Sequence, residues 1–198
     1  MSENTILGLK LPTDPRWVDI AAISLEDILT DHAFCEQKAA TTMISIIQRY
    51  SDREELVDKL APVVTEEWGH FRMVLAELKK RGMHLGKQRK DDYVNALLAQ
   101  EPKSISPEER LLHKLCICAL IEARSCERFR LLSLHISDEK LKDFYHKFMV
   151  SEAGHYRLFL DLARTYYEEE KVRETWQGWL QIEKNIMADM PPRADRIH

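Results

Sequence analysis

The chain has 198 residues, a formal net charge of -4 and only 6 glycines. This length suits one domain with a sizeable core, expected over residues 1–198, and the charge argues against indiscriminate nucleic-acid binding. The composition, rich in Ala, Leu, Glu, Lys and Arg, favours an all-α fold, and no apolar run approaches the roughly 20 residues that span a bilayer.

Residues 1–23 are expected to form an extended N-terminal arm that packs on the rest of the chain through Trp17. The beginning of this arm contains an acid and no uninterrupted apolar stretch. A secretory signal is therefore not expected, and a cytoplasmic location follows.

Residues 24–81 are predicted to form a first pair of helices. Ser24 can cap the first helix, in which apolar or small residues recur at helical spacing. Ser51 and Glu54 have capping-box spacing and are expected to begin the second helix. Glu36 interrupts the apolar face of the first helix, where a charge is costly to bury unless it is paired or binds a metal.

The rest of the chain repeats this organisation after a long connection. Residues 82–105 are predicted to be a crossover with a short helix from Asp92 to Gln100, and residues 106–165 a second helix pair. An additional C-terminal helix is expected over residues 172–187. A capping box with proline in its first turn begins the third long helix, and an Asp follows Ser at the start of the fourth.

Two Glu-x-x-His motifs carry the strongest chemical signal. Glu67 with His70 and Glu152 with His155 share a glycine before the histidine and an aromatic-Arg pair after it. Residues three apart lie on one face of a helix, so each motif can present a carboxylate and an imidazole to one point. Two such motifs plus one Glu from each of two further helices form the ligand set of ferritin-like di-iron and di-manganese bundles.

An internal repeat supplies the two further glutamates. When the sequence is aligned with itself so that Glu36 matches Glu122, the Ser-Asp pairs before the next helices also match. A shift of one residue then aligns the two Glu-x-x-His motifs. Four carboxylates and two imidazoles are thus predicted to hold two divalent metals, whose charge would offset the repulsion between the acids. The predicted metal-binding and catalytic residues are Glu36, Glu67, His70, Glu122, Glu152 and His155.

Other polar residues near these positions are interpreted differently. Glu66 and Glu127 are rival carboxylates outside the ligand set and are expected to be either solvated or in contact with a metal ligand. His32 is interpreted as a polar lining residue at the edge of the site, and Arg72 and Arg157 are expected to pair with acids between helices. The cysteines lack C-x-x-C spacing, which predicts reduced core residues rather than zinc or disulfide ligands. They are Cys35, Cys116, Cys118 and Cys126.

With these residues identified, residues 11–17, 31–40 and 66–71 closely resemble the MiaE family of tRNA hydroxylases. The similarity extends from about Leu9 to Met187, and all six ligand positions of the family pattern are occupied. The resemblance implies a ferritin-like four-helix bundle with a long crossover between its second and third helices and an extra C-terminal helix.

The same resemblance implies a reaction. A non-haem di-iron monooxygenase would use O2 and electrons from an external donor, delivered by an electron-transfer protein or reductase, to hydroxylate the isopentenyl group of 2-methylthio-isopentenyladenosine in tRNA. An apolar pocket for oxygen and the prenyl group is expected. Its predicted walls are Phe34, Phe71, Leu115, Ala119 and Phe148.

A tRNA substrate demands phosphate contacts, and one basic stretch can supply them. It places six cations within twelve residues, with no acid between them, and is expected to hold the anticodon stem-loop. These cations are Lys79, Lys80, Arg81, Lys87, Arg89 and Lys90. The alternative for the stretch is a solvated helix end.

Two alternative functions stay open: an iron- or peroxide-handling oxidoreductase of the ferritin or rubrerythrin type, and a helical binding module without chemistry. The sequence lacks a C-x-x-C pair for the rubredoxin-like site of the first alternative. The second alternative would leave buried carboxylates unpaired. The sequence leaves the oligomeric state undetermined.

Overall fold

The computed structural model describes residues 7–191, 193 and 195–197, which contain seven α-helices and no β-strand. The helices are α1 (Trp17–Ile23), α2 (Leu25–Arg49), α3 (Glu54–Lys80), α4 (Asp92–Ala99), α5 (Pro107–His135), α6 (Glu139–Tyr166) and α7 (Glu169–Asp189). None of the described helices is both long and apolar enough to span a membrane. Contacts divide the chain into two compact units, which are described separately.

The first unit contains the described residues of Asp19–Lys90 and Arg193–Ile197. Its main elements, α2 and α3, pack along each other through buried apolar side chains. The capping box predicted at Ser51 and Glu54 is wrong: the N-cap of α3 is Arg53 and makes no side-chain cap hydrogen bond. The amide of Arg53 donates instead to the carbonyl of Tyr50 at 3.0 Å, because a turn reverses the chain before the helix begins.

The end of α3 and the segment after it also belong to this unit. Gly82 has a φ of 70°, and the Met83 amide donates to the Leu78 carbonyl at 2.9 Å, so the glycine's left-handed backbone closes the helix. The chain then runs beside α2, where the His84 amide donates to Glu26 Oε1 at 2.9 Å. Further on, the Gly86 amide donates to Thr30 Oγ1 at 3.2 Å.

The second unit contains the described residues of Met1–Val18 and Asp91–Pro192. Helices α5 and α6 form its main pair, and α7 packs on both of them. The capping box predicted at Ser106 and Glu109 is confirmed, and the Asp138 carboxylate caps α6 by accepting from the Lys140 and Leu141 amides. The short helix α4 lies in the predicted crossover and packs on α5 and α7.

The predicted arm, residues 1–23, has more regular structure than expected. Residues 1–6 lie outside the described residues, and the segment from Leu7 to Arg16 contains turns but no helix. The chain then forms α1, which the sequence did not predict, and the Trp17 amide donates to the Asp14 carbonyl at 2.9 Å as it begins. Trp17 is buried, as expected for the anchor of the arm.

Candidate metal centre

The first unit brings together three of the predicted ligands. Glu36 comes from α2, and Glu67 and His70 come from α3. One ligand atom of each lies within 4.8 Å of the others, and all three residues are buried. His70 Nδ1 is 3.3 Å from Glu36 Oε2 and 3.6 Å from Glu67 Oε2. These residues form the first triad.

His32 lies directly against the first triad. Its Nε2 is 2.7 Å from Glu36 Oε1, and its side chain is fully buried. The two oxygens of Glu36 therefore face different imidazoles, His32 on one side and His70 on the other. His32, predicted as a lining residue, holds one oxygen of a predicted ligand and fixes the orientation of its carboxylate.

Glu66 also approaches the first triad from four residues before His70 in the sequence. Its Oε1 lies 3.9 Å from His70 Nε2, beyond hydrogen-bond distance, and about half of its side chain is exposed. The i, i+4 spacing of this pair was the sequence signal for the approach. Glu66 therefore belongs at the solvent edge of the imidazole.

The second unit repeats the arrangement with the other three predicted ligands. Glu122 comes from α5, and Glu152 and His155 come from α6. One ligand atom of each again lies within 4.8 Å of the others, and all three residues are buried. His155 Nδ1 is 3.3 Å from Glu152 Oε2. These residues form the second triad.

The chemistry of both triads fits iron. Imidazole nitrogen and carboxylate oxygen are the donors that non-haem iron sites use. Buried carboxylates gathered within a few ångströms of one another need a nearby positive charge, and a divalent metal supplies it. The residues present in each triad are therefore suited to iron.

The predicted pocket residues lie in both units. Phe71 is buried on α3, and Phe34 is half-buried on α2. Leu115, Ala119 and Phe148 are buried in the second unit. Their role as pocket walls stays a prediction.

The basic stretch does not form one uniform cationic surface. Lys80 Nζ lies 3.2 Å from one Glu77 oxygen, and Arg81 Nε donates to the other at 2.6 Å. Arg89 pairs with Asp27 on α2 and with Asp195, the latter at 2.7 Å. Half of the predicted phosphate contacts are thus occupied by carboxylates of the same unit. The other three cations, Lys79, Lys87 and Lys90, are exposed.

The second unit also contains a buried ion network that the sequence interpretation missed. Glu127, predicted to be either solvated or in contact with a metal ligand, is buried and accepts from the Thr13 amide at 3.0 Å and the Thr13 hydroxyl at 2.7 Å. Arg124 is fully buried, pairs with Glu127, and donates through Nε to Glu183 Oε1 at 2.9 Å. We call these residues, with Arg128, the arginine network.

Arg128 connects the arginine network to the N-terminal arm. Its guanidinium carbon lies 4.4 Å from the centre of the Trp17 ring, a cation-π distance. Burial, with the charge of Arg124 close by, lowers the pKa of Arg128 to about 10. Two arginines four residues apart on an otherwise apolar helix face were the available sequence signal.

Arg72 and Arg157, by contrast, are exposed and make no ion pair with any described residue, so their predicted interhelical pairing is wrong.

Duplicated pairs of long helices, each with a single Glu and a Glu-x-x-His, define a ferritin-like protein of the di-metal carboxylate class. A solved Synechococcus structure titled "Protein 43 with aldehyde deformylating oxygenase activity" is similar over 98% of this chain and 96% of its own, at 34% identity and a TM-score of 0.90. The predicted all-α, ferritin-like fold is confirmed.

Curated relatives narrow the assignment. A Pseudomonas putida tRNA 2-(methylsulfanyl)-N(6)-isopentenyladenosine(37) hydroxylase is 38% identical over 83% of this chain and 78% of its own. The Salmonella typhimurium protein of the same name is 27% identical over 96% of this chain and 87% of its own. The model of the tRNA-(MS[2]IO[6]A)-hydroxylase (MiaE) family matches residues 1–198. The chain belongs to this family and is a tRNA-modifying oxidoreductase, as its motifs predicted.

Proposed function

We propose that the chain hydroxylates the isopentenyl group of 2-methylthio-isopentenyladenosine in tRNA with O2, at a di-iron centre. The observation that carries the proposal is the duplication: each unit gathers one single Glu and one Glu-x-x-His, with one ligand atom of each residue within 4.8 Å of the others. The ligands would be Glu36, Glu67, His70, Glu122, Glu152 and His155.

Each side chain has a distinct task in this proposal. Iron supplies the activation of O2 needed to hydroxylate an unreactive C–H bond. The glutamates provide negative charge and oxygen ligands, and His70 and His155 provide neutral nitrogen ligands. His32 holds Glu36 Oε1 at 2.7 Å and so fixes the direction in which Oε2 points.

The reaction also needs partners. Two electrons must come from a donor outside the chain, because hydroxylation uses one oxygen atom of O2 and reduces the other to water. We infer an electron-transfer protein or reductase in this role, tRNA with its anticodon stem-loop as substrate, and the cytoplasm, where tRNA is modified, as location.

Nucleoside analysis of tRNA tests the reaction directly. Cells that lack this protein should lose the hydroxylated prenyladenosine and accumulate its precursor, and the restored gene should reverse both changes. The purified chain should hold about two irons after anaerobic loading. Unchanged nucleosides in the deletion strain would overturn the tRNA assignment, and zinc alone in the protein would overturn the di-iron centre.

The likeness to the Synechococcus structure favours one second candidate, aldehyde deformylation. The same iron-loaded protein, supplied with O2, reductant and a long-chain aldehyde, would then release a hydrocarbon. We expect no product above the iron-free control. An iron- or peroxide-handling oxidoreductase would instead consume peroxide or store iron without changing tRNA. Nucleoside analysis therefore separates the tRNA hydroxylase from both alternatives, and the aldehyde assay separates the alternatives from each other.

A further inference from the structure

We propose that one exposed line of α3 is the surface that binds the single-stranded loop of the tRNA substrate. The line consists of the exposed Trp68, Arg72 and Lys79 and the half-buried Leu75, and we call it the α3 stripe. This proposal rests on the tRNA function proposed above. In it, the α3 stripe takes the place of most of the basic stretch as the predicted RNA contact.

Helix geometry places these residues in one row. Spacings of four, three and four residues return to nearly the same direction at 3.6 residues per turn, so the four side chains project from one side of α3. From Trp68 to Lys79 the row is about 16 Å long at 1.5 Å per residue. A row of this length can follow a few nucleotides of an extended strand.

Trp68 provides a stacking surface. It is 47% exposed, whereas Trp17, Trp176 and Trp179 are buried at 2%, 8% and 2% exposure. Its ring lies against Phe71, with centroids 4.9 Å apart, so the indole is supported from behind while part of it stays open to solvent. Sequence-tolerant stacking of unpaired bases on exposed aromatic side chains is the usual way in which proteins hold single-stranded RNA.

Arg72 and Lys79 provide charge that is not paired with any described carboxylate. Both side chains are exposed, and neither makes an ion pair with any residue that the structure describes. The neighbouring cations Lys80 and Arg81 are different, because Glu77 accepts from both. The charges available to phosphates on this helix therefore lie on the same line as the exposed indole.

A surface groove continues the α3 stripe at its C-terminal end. It has a volume of about 520 Å³ and lies between the last turns of α3 and the segment that leaves the helix. Leu75, Met83 and Leu85 form apolar walls, while Lys79 and His84 add polar groups. This combination suits an unstacked base with its phosphate on Lys79, so the groove and Trp68 would hold bases at the two ends of the row.

The nearest acids do not oppose an anion on this line. Glu77 is buried and already accepts from Lys80 and Arg81. Glu66 is two residues from Trp68 and hence lies on a different side of the helix, toward His70. Charge complementarity, an exposed aromatic ring and an adjoining groove therefore all indicate one occupant, the anticodon loop.

Intrinsic tryptophan fluorescence gives a direct test. Because Trp68 is the exposed tryptophan, titration with an unmodified anticodon stem-loop should quench its emission, and Trp68→Phe should remove that change. Trp68→Ala should weaken binding by about 5- to 150-fold, the effect of losing one stacked base. Arg72→Gln and Lys79→Gln should each reduce the slope of log affinity against log salt concentration by about 0.7.

The matched control is Lys59→Gln, which removes an exposed cation from another side of the same helix and should leave affinity and salt slope unchanged. Circular dichroism should show the same helix content in all variants. Wild-type affinity in Arg72→Gln/Lys79→Gln would overturn the α3 stripe while leaving the tRNA function intact. Failure of the unaltered protein to bind or hydroxylate tRNA would instead overturn the function.

Discussion

The triads and the arginine network both bury carboxylates, but they pair them with different groups. Glu127 and Glu183 contact the guanidinium of Arg124, which carries a permanent charge. In the triads, Glu36 and Glu152 contact imidazoles, which are metal ligands when neutral. In the first arrangement each acid is paired with a guanidinium, whereas the second is a set of predicted metal ligands. The partner of a buried acid, rather than burial itself, therefore separates a structural cluster from a predicted metal-binding cluster.

Removal of a triad carboxylate should give the largest functional effect. Glu152→Ala deletes one predicted iron ligand, and we expect oxygen-dependent hydroxylation of tRNA to fall to the background of the iron-free protein while the helical fold is kept. Product nucleosides, iron content and far-ultraviolet circular dichroism measure the three quantities. Asp143→Ala, an exposed carboxylate on the same helix, is the control and should stay active. An active Glu152→Ala enzyme would mean that the ligand assignment is wrong.

Disruption of the arginine network should instead reduce stability. Arg124→Met leaves Glu183 and Glu127 buried without their guanidinium partner, which should lower the free energy of unfolding by about 3 to 5 kcal/mol. Urea denaturation measures the loss, and iron binding by the folded fraction should persist. Arg130→Met, an exposed change on the same helix, should stay within about 0.5 kcal/mol of the wild type. Equal stability of the two variants would contradict the structural role of the network.

Removal of the metal should show that the triads and the arginine network contribute to stability independently within one protein. Metal that binds only the folded chain stabilises it by about 2.7 to 4.1 kcal/mol at free concentrations of 100 to 1,000 times Kd. Anaerobic thermal denaturation with and without ferrous iron should show this gain in both the wild type and Arg124→Met. The gain should vanish in a variant that lacks triad ligands. Stabilisation that depended on Arg124 would show that the two clusters are not independent.

A set of six metal ligands could be predicted from sequence because the signal is local and occurs twice. Glu67 and His70, like Glu152 and His155, are separated by one helical turn, and the repeat then identifies the single glutamates. The structure gathers each triad within its own unit. The capping box at Ser106 was predictable for the same reason, whereas the one at Ser51 failed because a turn at Tyr50 precedes the helix.

Contacts between distant residues explain what the sequence could not show. Arg89 belongs to an apparently uniform basic stretch, yet its partners Asp27 and Asp195 are 62 and 106 positions away. The contacts of Thr13 with Glu127 likewise join residues 114 positions apart. No periodicity or local spacing marks such pairs. The cationic composition of the stretch therefore did not indicate the ion pair of Arg89, and the contacts of Thr13 with Glu127 were not predicted.

His32 tests where the metal-binding cluster ends, because it lies beside a triad without belonging to the predicted ligand set. His32→Ala removes the group 2.7 Å from Glu36 Oε1, so that oxygen loses the imidazole that orients it. We expect iron affinity to fall about 10- to 100-fold, the usual effect of losing a residue that orients a ligand. Competition with a chromophoric chelator under anaerobic conditions measures the change without turnover.

Two further variants decide whether the hydrogen bond is responsible. His32→Gln keeps an amide N–H that can donate to Glu36, so it should recover part of the lost affinity, while Ser45→Ala, an exposed change on α2, should have no effect. An equal loss of iron affinity in His32→Gln and His32→Ala would mean that packing of the imidazole ring, rather than its hydrogen bond, is responsible. Wild-type affinity in His32→Ala would show that Glu36 needs no orienting partner, and the boundary of the metal-binding cluster would then lie at the triad itself.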